Sequence, residues 1–273
     1  MSALIDVAEL ADAVDSDRRP TLLDVRWSLA GGAGEADYRA GHIPGAAFVN
    51  LDTDLADAAG ARGRHPLPDA ARFTAAMRRL GVRHHVPVVV YDADNATAAA
   101  RAWWLLRRFG HREVRVLDGG LAAWRRAGHR LETRIARIVP GDFEPGEPTL
   151  EVLELSDVLP FAADHLLLDA RDHERYLGLV EPVDPVAGHI PGAVSAPTRA
   201  NLRDDGSFRT PAALRARFAA LGAADDGPVA VYCGSGVTAA HEVLALEVAG
   251  FSAALYPGSW SEWVADPARP VAR

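Results

Sequence analysis

Val229-Ala230-Val231-Tyr232-Cys233-Gly234-Ser235-Gly236-Val237-Thr238-Ala239-Ala240-His241 is the stretch whose reading decides the fold. A β-branched and aromatic run ends on a cysteine, two glycines flank a serine, and a helical pattern begins. The segment reads as a buried strand, a tight loop and a helix N-terminus. A strand that feeds a helix through so short a loop is the unit of a parallel α/β sheet. Glycines at alternate positions let such a loop turn several backbone N–H groups inward, and the helix behind adds partial positive charge. Both favour a thiolate at Cys233. A cysteine that titrates near about 8.5 in isolation is lowered in such surroundings, and the thiolate is the nucleophile. Cys233 is the only cysteine among 273 residues. A lone cysteine can also be an inert core residue; the glycine loop is what argues otherwise.

Working outward, the chain repeats itself. Leu22-Leu23-Asp24-Val25-Arg26 returns as Leu167-Leu168-Asp169-Ala170-Arg171, and Gly41-His42-Ile43-Pro44-Gly45-Ala46 as Gly188-His189-Ile190-Pro191-Gly192-Ala193. Val88-Val89-Val90-Tyr91-Asp92 returns as Val229 to Cys233, and Asp118-Gly119-Gly120-Leu121 as Pro257-Gly258-Ser259-Trp260. The matches keep their order, so the chain is a duplicated domain. Residues 1–135 form one copy, 136–149 a linker rich in Pro and Gly, and 150–273 the other. Each copy predicts a strand (21–25; 166–170), a second strand (87–91; 228–232), a helix (96–109; 237–249) and a third strand (114–117; 253–256). Gly110 and Gly250 fall where a helix ends on a left-handed residue. The fold class is α/β, each copy a parallel sheet flanked by helices. Cys233 is matched by Asp92, which cannot do thiol chemistry, so only the second copy can be cysteine-dependent.

Bulk properties narrow the classes of partner. Hydrophobic residues are 49% and charged residues 24% of the chain, ordinary for a globular protein. A net charge of −8 argues against nucleic acid or an anionic membrane as partner. One cysteine excludes an internal disulfide and any multi-cysteine metal site. The first ten residues lack a signal-peptide pattern, and no apolar run is long enough to span a bilayer. The expectation is a cytoplasmic protein, a setting that suits a working thiol. His42 and His189 lack a second ligand at useful spacing and are expected to bond backbone. Asp24 and Asp169 are expected to fix neighbouring loops, and Trp103 and Trp104 to pack in the core.

The two Gly-His-Ile-Pro-Gly-Ala motifs together with Cys233-Gly234-Ser235-Gly236-Val237-Thr238 resemble the tandem-domain rhodanese sulfurtransferases over nearly the whole chain. The resemblance implies two rhodanese-like domains, an inactive first and an active second. Within that family the loop looks like the 3-mercaptopyruvate branch, because thiosulfate enzymes carry cationic residues just after the cysteine. It implies Cys233 as the persulfide carrier, with Gly234, Gly236, Val237 and Thr238 cradling the sulfur. It also implies a Ser235–His65–Asp52 proton relay across the domains, with Asp52 after the first His-Ile-Pro-Gly and His65 in Arg64-His65-Pro66. Arg175 and Tyr91 match groups that hold the donor's carboxylate, and Trp27 is expected to line the site. A second carboxylate-binding arginine is expected within Glu181-Pro182-Val183-Asp184, where none occurs; Arg199, Arg203 or another cation would have to compensate. No metal or organic cofactor is implied. The partners implied are a small-molecule sulfur donor and a thiol, cyanide or thioredoxin-type acceptor. Thiosulfate as donor, or a persulfide relay fed by another protein, are the alternatives. A cysteine phosphatase would need an arginine six residues after the cysteine, where this chain has Ala239.

Overall fold

The computed structural model describes residues 2–16, 18–28, 31 and 34–273. The chain forms two compact units: Met1–Ala56 with Pro68–Thr149 and Arg203–Phe208, and Asp57–Leu67 with Leu150–Leu202 and Arg209–Arg273. Each sequence half therefore lends one loop to the other unit. The loop 57–67 matters most, because it carries His65 into the unit that contains Cys233.

In the first unit the strands are β1 (Leu4–Ile5), β2 (Thr21–Asp24), β3 (Ala47–Phe48), β4 (Val88–Tyr91) and β5 (Val114–Leu117), all parallel, in the order β1-β5-β4-β2-β3. In the second unit β6 (Leu166–Asp169), β7 (Val194–Ser195), β8 (Val229–Tyr232) and β9 (Ala254–Leu255) run parallel in the order β7-β6-β8-β9. A single parallel bridge from Val152 to Leu255 stands where β1 pairs β5 in the first unit. The two sheets thus share one topology. Every residue of β4 and β8 is buried, as expected for a central parallel strand covered by helices on both faces. The order in which strands are added reverses between β2 and β4 and again between β6 and β8, and sites in open parallel sheets form outside the carboxyl ends of strands at such switch points.

Helices Thr97–Arg108 and Val237–Val248 follow the central strands. Gly110 (φ +88°) and Gly250 (φ +86°) end them in the left-handed region. His111 N–H then donates to Leu106 C=O, and Phe251 N–H to Leu246 C=O. Trp103 and Trp104 are fully buried, as expected.

The repeated motifs turn out to be one clamp used twice. Arg26 holds Asp24 through Nε (2.7 Å) and Nη2 (3.0 Å) and donates to Gly41 C=O (2.9 Å). Arg171 holds Asp169 likewise and donates to Gly188 C=O (2.7 Å). His42 Nδ1 lies 2.8 Å from Tyr38 C=O and His189 Nδ1 2.8 Å from Tyr176 C=O. A carbonyl only accepts, so Nδ1 carries the proton in both. Each imidazole also stacks on that tyrosine, with centroids 3.9 and 3.8 Å apart. The expected histidine and aspartate roles are therefore structural ones.

The Asp169–Arg171 pair has side-chain exposures of 0% and 1%, and the guanidinium lies 4.6 Å over the Trp260 ring. Replacing Arg171 with Met leaves Asp169 uncompensated in the core. The expected cost is about 3–5 kcal/mol, read as a lower urea midpoint at unchanged slope.

Candidate active site

Cys233 follows β8 and is 2% exposed. Its backbone is fixed from the far side of the loop: Cys233 N–H donates to Ser259 Oγ (3.1 Å), and Cys233 C=O accepts from Trp260 N–H (2.9 Å). Ser259 sits at φ +55°, a left-handed conformation for a residue with a side chain. Its hydroxyl donates to Tyr256 C=O (2.9 Å) while accepting from Cys233, which is the compensation such strain needs. Gly120 occupies the matching place in the first unit, also at φ +55°. Gly236, at φ +78°, caps the helix and donates its N–H to Cys233 Sγ (3.1 Å). A backbone donor on the sulfur at a helix N-terminus suits an anionic sulfur. Val237, buried, and Thr238, half-buried, open the first turn behind it.

The first unit builds the same loop around a carboxylate. Asp92 Oδ1 accepts from Ala96 N–H (3.0 Å), and Oδ2 accepts from Ala98 (3.0 Å) and Ala99 (3.3 Å). Burial pushes Asp92 up to about 6 against the pull of these three N–H donors, so it is a carboxylate at neutral pH.

The loop 57–67 reaches the cysteine loop through Ser261. Ser261 N–H donates to Gly234 C=O (2.9 Å), and its Oγ accepts from Arg64 N–H (3.1 Å). A β-carbon on Gly63 would lie 2.7 Å from Gly258 C=O, so only glycine allows this approach. His65 then meets Ser235: Nδ1 and Oγ are 2.7 Å apart. Asp52 lies in the first unit, where it accepts from the Trp27 indole N–H (3.2 Å). Trp27, Asn50 and Asp52 line a cavity of about 480 Å³ in that unit.

One expectation needs correction. Tyr91 is 0% exposed; its hydroxyl accepts from Ile43 N–H (3.0 Å) and bonds Asp24. Tyr232 repeats this with Ile190 N–H (3.1 Å). Tyr91 ties a strand to the Gly-His loop and has no hydroxyl to offer a substrate. The sequence leaves open which other cation stands in place of the missing arginine. A β-carbon on Gly234 would meet Arg64 Nη2 at 2.8 Å and the two Arg175 Nη atoms at 3.7 and 3.8 Å. The second cation beside the cysteine loop is therefore Arg64. Arg203 belongs to the other unit.

The segment expected to hold an arginine instead supplies carboxylates. Glu181 accepts from Arg175 Nη2 (2.5 Å) and Nε (3.2 Å) and from Arg171 Nη1 (3.3 Å). Asp184 accepts from Arg175 Nη2 (3.2 Å) and from Arg64 Nη1. Burial works to raise Glu181, but the Arg175 hydrogen bond and the Asp184 and Val183 N–H groups outweigh it and hold the carboxyl below its ordinary value. Burial raises Asp184, with Glu181 adding to it, against the pull of Arg64 and Arg175.

Ser259 tests whether the loop needs its external brace. Ser259→Ala leaves the Cys233 N–H unpaired in the interior and should cost about 1–3 kcal/mol. Ser259→Gly loses the same acceptor but sheds a left-handed strain of roughly 1–2 kcal/mol, so thermal melts should rank wild type, then glycine, then alanine.

Comparison with known proteins gives the family. The rhodanese-like domain profile matches residues 6–127 and again 153–266. The chain is 49% identical to a Mycobacterium tuberculosis protein provisionally named thiosulfate sulfurtransferase SseB, over 99% of this chain and 96% of that one. It is 48% identical to a Pseudomonas aeruginosa protein provisionally named 3-mercaptopyruvate sulfurtransferase, over 92% and 91%. The crystal structure of the 3-mercaptopyruvate sulfotransferase SseA from Escherichia coli superposes with a TM-score of 0.85 at 34% identity, covering 96% of this chain and 100% of that one. With a cysteine loop braced in one unit and its carboxylate twin in the other, the chain belongs to the rhodanese family and carries two rhodanese-like domains.

Proposed function

We propose that the protein is a sulfurtransferase that takes a sulfur atom from 3-mercaptopyruvate onto Cys233 and passes it to a thiol or cyanide. The observation that carries the donor is the 2.7 Å pairing of Ser235 Oγ with His65 Nδ1 inside the cysteine loop.

The Cys233 thiolate attacks the donor's thiol sulfur. An S–S bond forms, the donor's C–S bond breaks, and its electron pair stays on carbon as the enolate of pyruvate. That carbon needs a proton. With Nδ1–H donating to Ser235 Oγ, the serine hydroxyl proton points away from the imidazole and can be delivered, and His65 restores it. A positioned proton donor of this kind contributes about 10²–10⁴-fold. The donor's thiol proton leaves as the outer sulfur becomes a persulfide anion, which the Gly236 N–H and the Thr238 and Ala239 N–H groups of the helix end would hold. A thiolate or cyanide then attacks the outer sulfur, the S–S bond breaks, and the electron pair returns to Cys233. Asp52 enters as third member of the relay on its sequence match; its own observed partner is Trp27.

Thiosulfate is the second reading. Its leaving group, sulfite, needs no proton, and Arg64 and Arg175 beside Gly234 would offset its charge. No helix among the described residues is long and apolar enough to cross a membrane. The acceptor is taken to be a small thiol or a thioredoxin-type protein in the cytoplasm.

Steady-state assays with both donors and cyanide should favour mercaptopyruvate by about tenfold or more in kcat/KM. His65→Gln should lower kcat for mercaptopyruvate by about 10²-fold or more and spare thiosulfate. Equal losses with both donors would sink the relay. The donor-treated protein should gain one sulfur atom on the Cys233 peptide, and Cys233→Ser should be inactive.

A further inference from the structure

The two guanidinium groups at the cysteine loop are both paired. Arg64 and Arg175 both approach Gly234, and both bond the same carboxylate, one to each oxygen: Arg64 Nη1 to Asp184 Oδ1 and Arg175 Nη2 to Asp184 Oδ2. Asp184 is thus gripped like a bound anion, its side chain 3% exposed while Arg64 keeps 26% and Arg175 12%. Arg64 Nε is buried and has no hydrogen-bond partner, so this guanidinium has a donor to spare for an arriving oxygen. Glu181 is held differently: Arg171, Arg175 and the N–H groups of Val183 and Asp184 all bond it, which makes it the fixed anchor of the segment. Asp184, shared between the two loop-facing arginines and raised by burial, is the replaceable partner.

We infer that Asp184 is an internal competitor for the donor's anionic group, and that Arg64 and Arg175 exchange its carboxylate for that of the donor. This rests on the reading of an anionic donor given above. Asp184 would then set specificity by holding the loop's positive charge in check: a monoanionic carboxylate displaces it in a like-for-like exchange, and a cation pair without it would favour anions generally. Arginine suits such an exchange, because its guanidinium N–H donors can meet an oxygen of either carboxylate in the same way.

The test reads binding rather than turnover. In a Cys233→Ser background, dissociation constants for pyruvate and for sulfite are measured by calorimetry. Asp184→Asn should tighten at least one of the anions by about tenfold, and Arg64→Gln should weaken it by a similar factor. Combining the two substitutions should abolish the gain, since the released Arg64 is what the anion uses. A merely structural role for Asp184 predicts weaker binding of both anions, and that outcome, or unchanged binding of both, overturns the inference. Near-ultraviolet circular dichroism of the asparagine variant confirms that the protein measured is folded. Because no turnover is involved, a protein that proves to prefer thiosulfate would overturn the proposed donor and still leave the Asp184 measurement decisive.

Discussion

A ring of backbone N–H groups at a helix N-terminus must be filled with something negative, and both halves of this chain are organised by that demand. Such donors have no partner within the helix, and burying them unpaired costs about 1–3 kcal/mol each. In the first unit Asp92 fills the ring with a two-oxygen fork, one oxygen on Ala96 and the other on Ala98 and Ala99. In the second, Cys233 brings a single sulfur, on Gly236. A persulfide would make that one atom two. The carboxylate therefore shows, in the same fold, what the loop looks like when both places are occupied.

The rest of each unit keeps that loop still. The Asp–Arg clamp and the histidine–tyrosine stack fix the Gly-His-Ile-Pro loops, and the tyrosine at the end of the central strand ties them to the sheet. Ser259 and Ser261 then hold the cysteine loop by its backbone, and Ser235 faces His65 from it. A site built on backbone braces tolerates strained residues such as Ser259, because neighbouring hydrogen bonds over-determine them.

Much of this was legible in the sequence, and the failures have physical causes. Strand, loop and helix around Cys233 were readable because their patterns are local, and the duplication exposed Asp92 as the odd partner. His65 was found through its motif. The carboxylate role of Tyr91 came from the resemblance alone, and its hydroxyl is instead spent on Ile43 N–H and Asp24; its twin Tyr232, beside the cysteine itself, was the available hint. Arg64 was passed over although it adjoins His65, since nothing local says that an arginine in a Gly-rich loop will lie against Gly234. Glu181 and Asp184 sit among prolines, and nothing local marks them as buried. Their burial follows only from the arginines that the fold brings to them.

Those misses change the argument about the donor. The loop Gly234 to Thr238 has no charged residue, which by sequence favours a leaving group that needs a proton over one that needs cations. In space the loop does have cations, Arg64 and Arg175, and it also has the carboxylates that cancel them. An arginine within reach of a dianion favours it strongly in a partly dehydrated site, but an arginine already paired to a buried carboxylate presents little net charge. On the inference drawn above, the electrostatic part of donor choice turns on whether Asp184 stays or leaves, while the proton that mercaptopyruvate needs rests with Ser235 and His65.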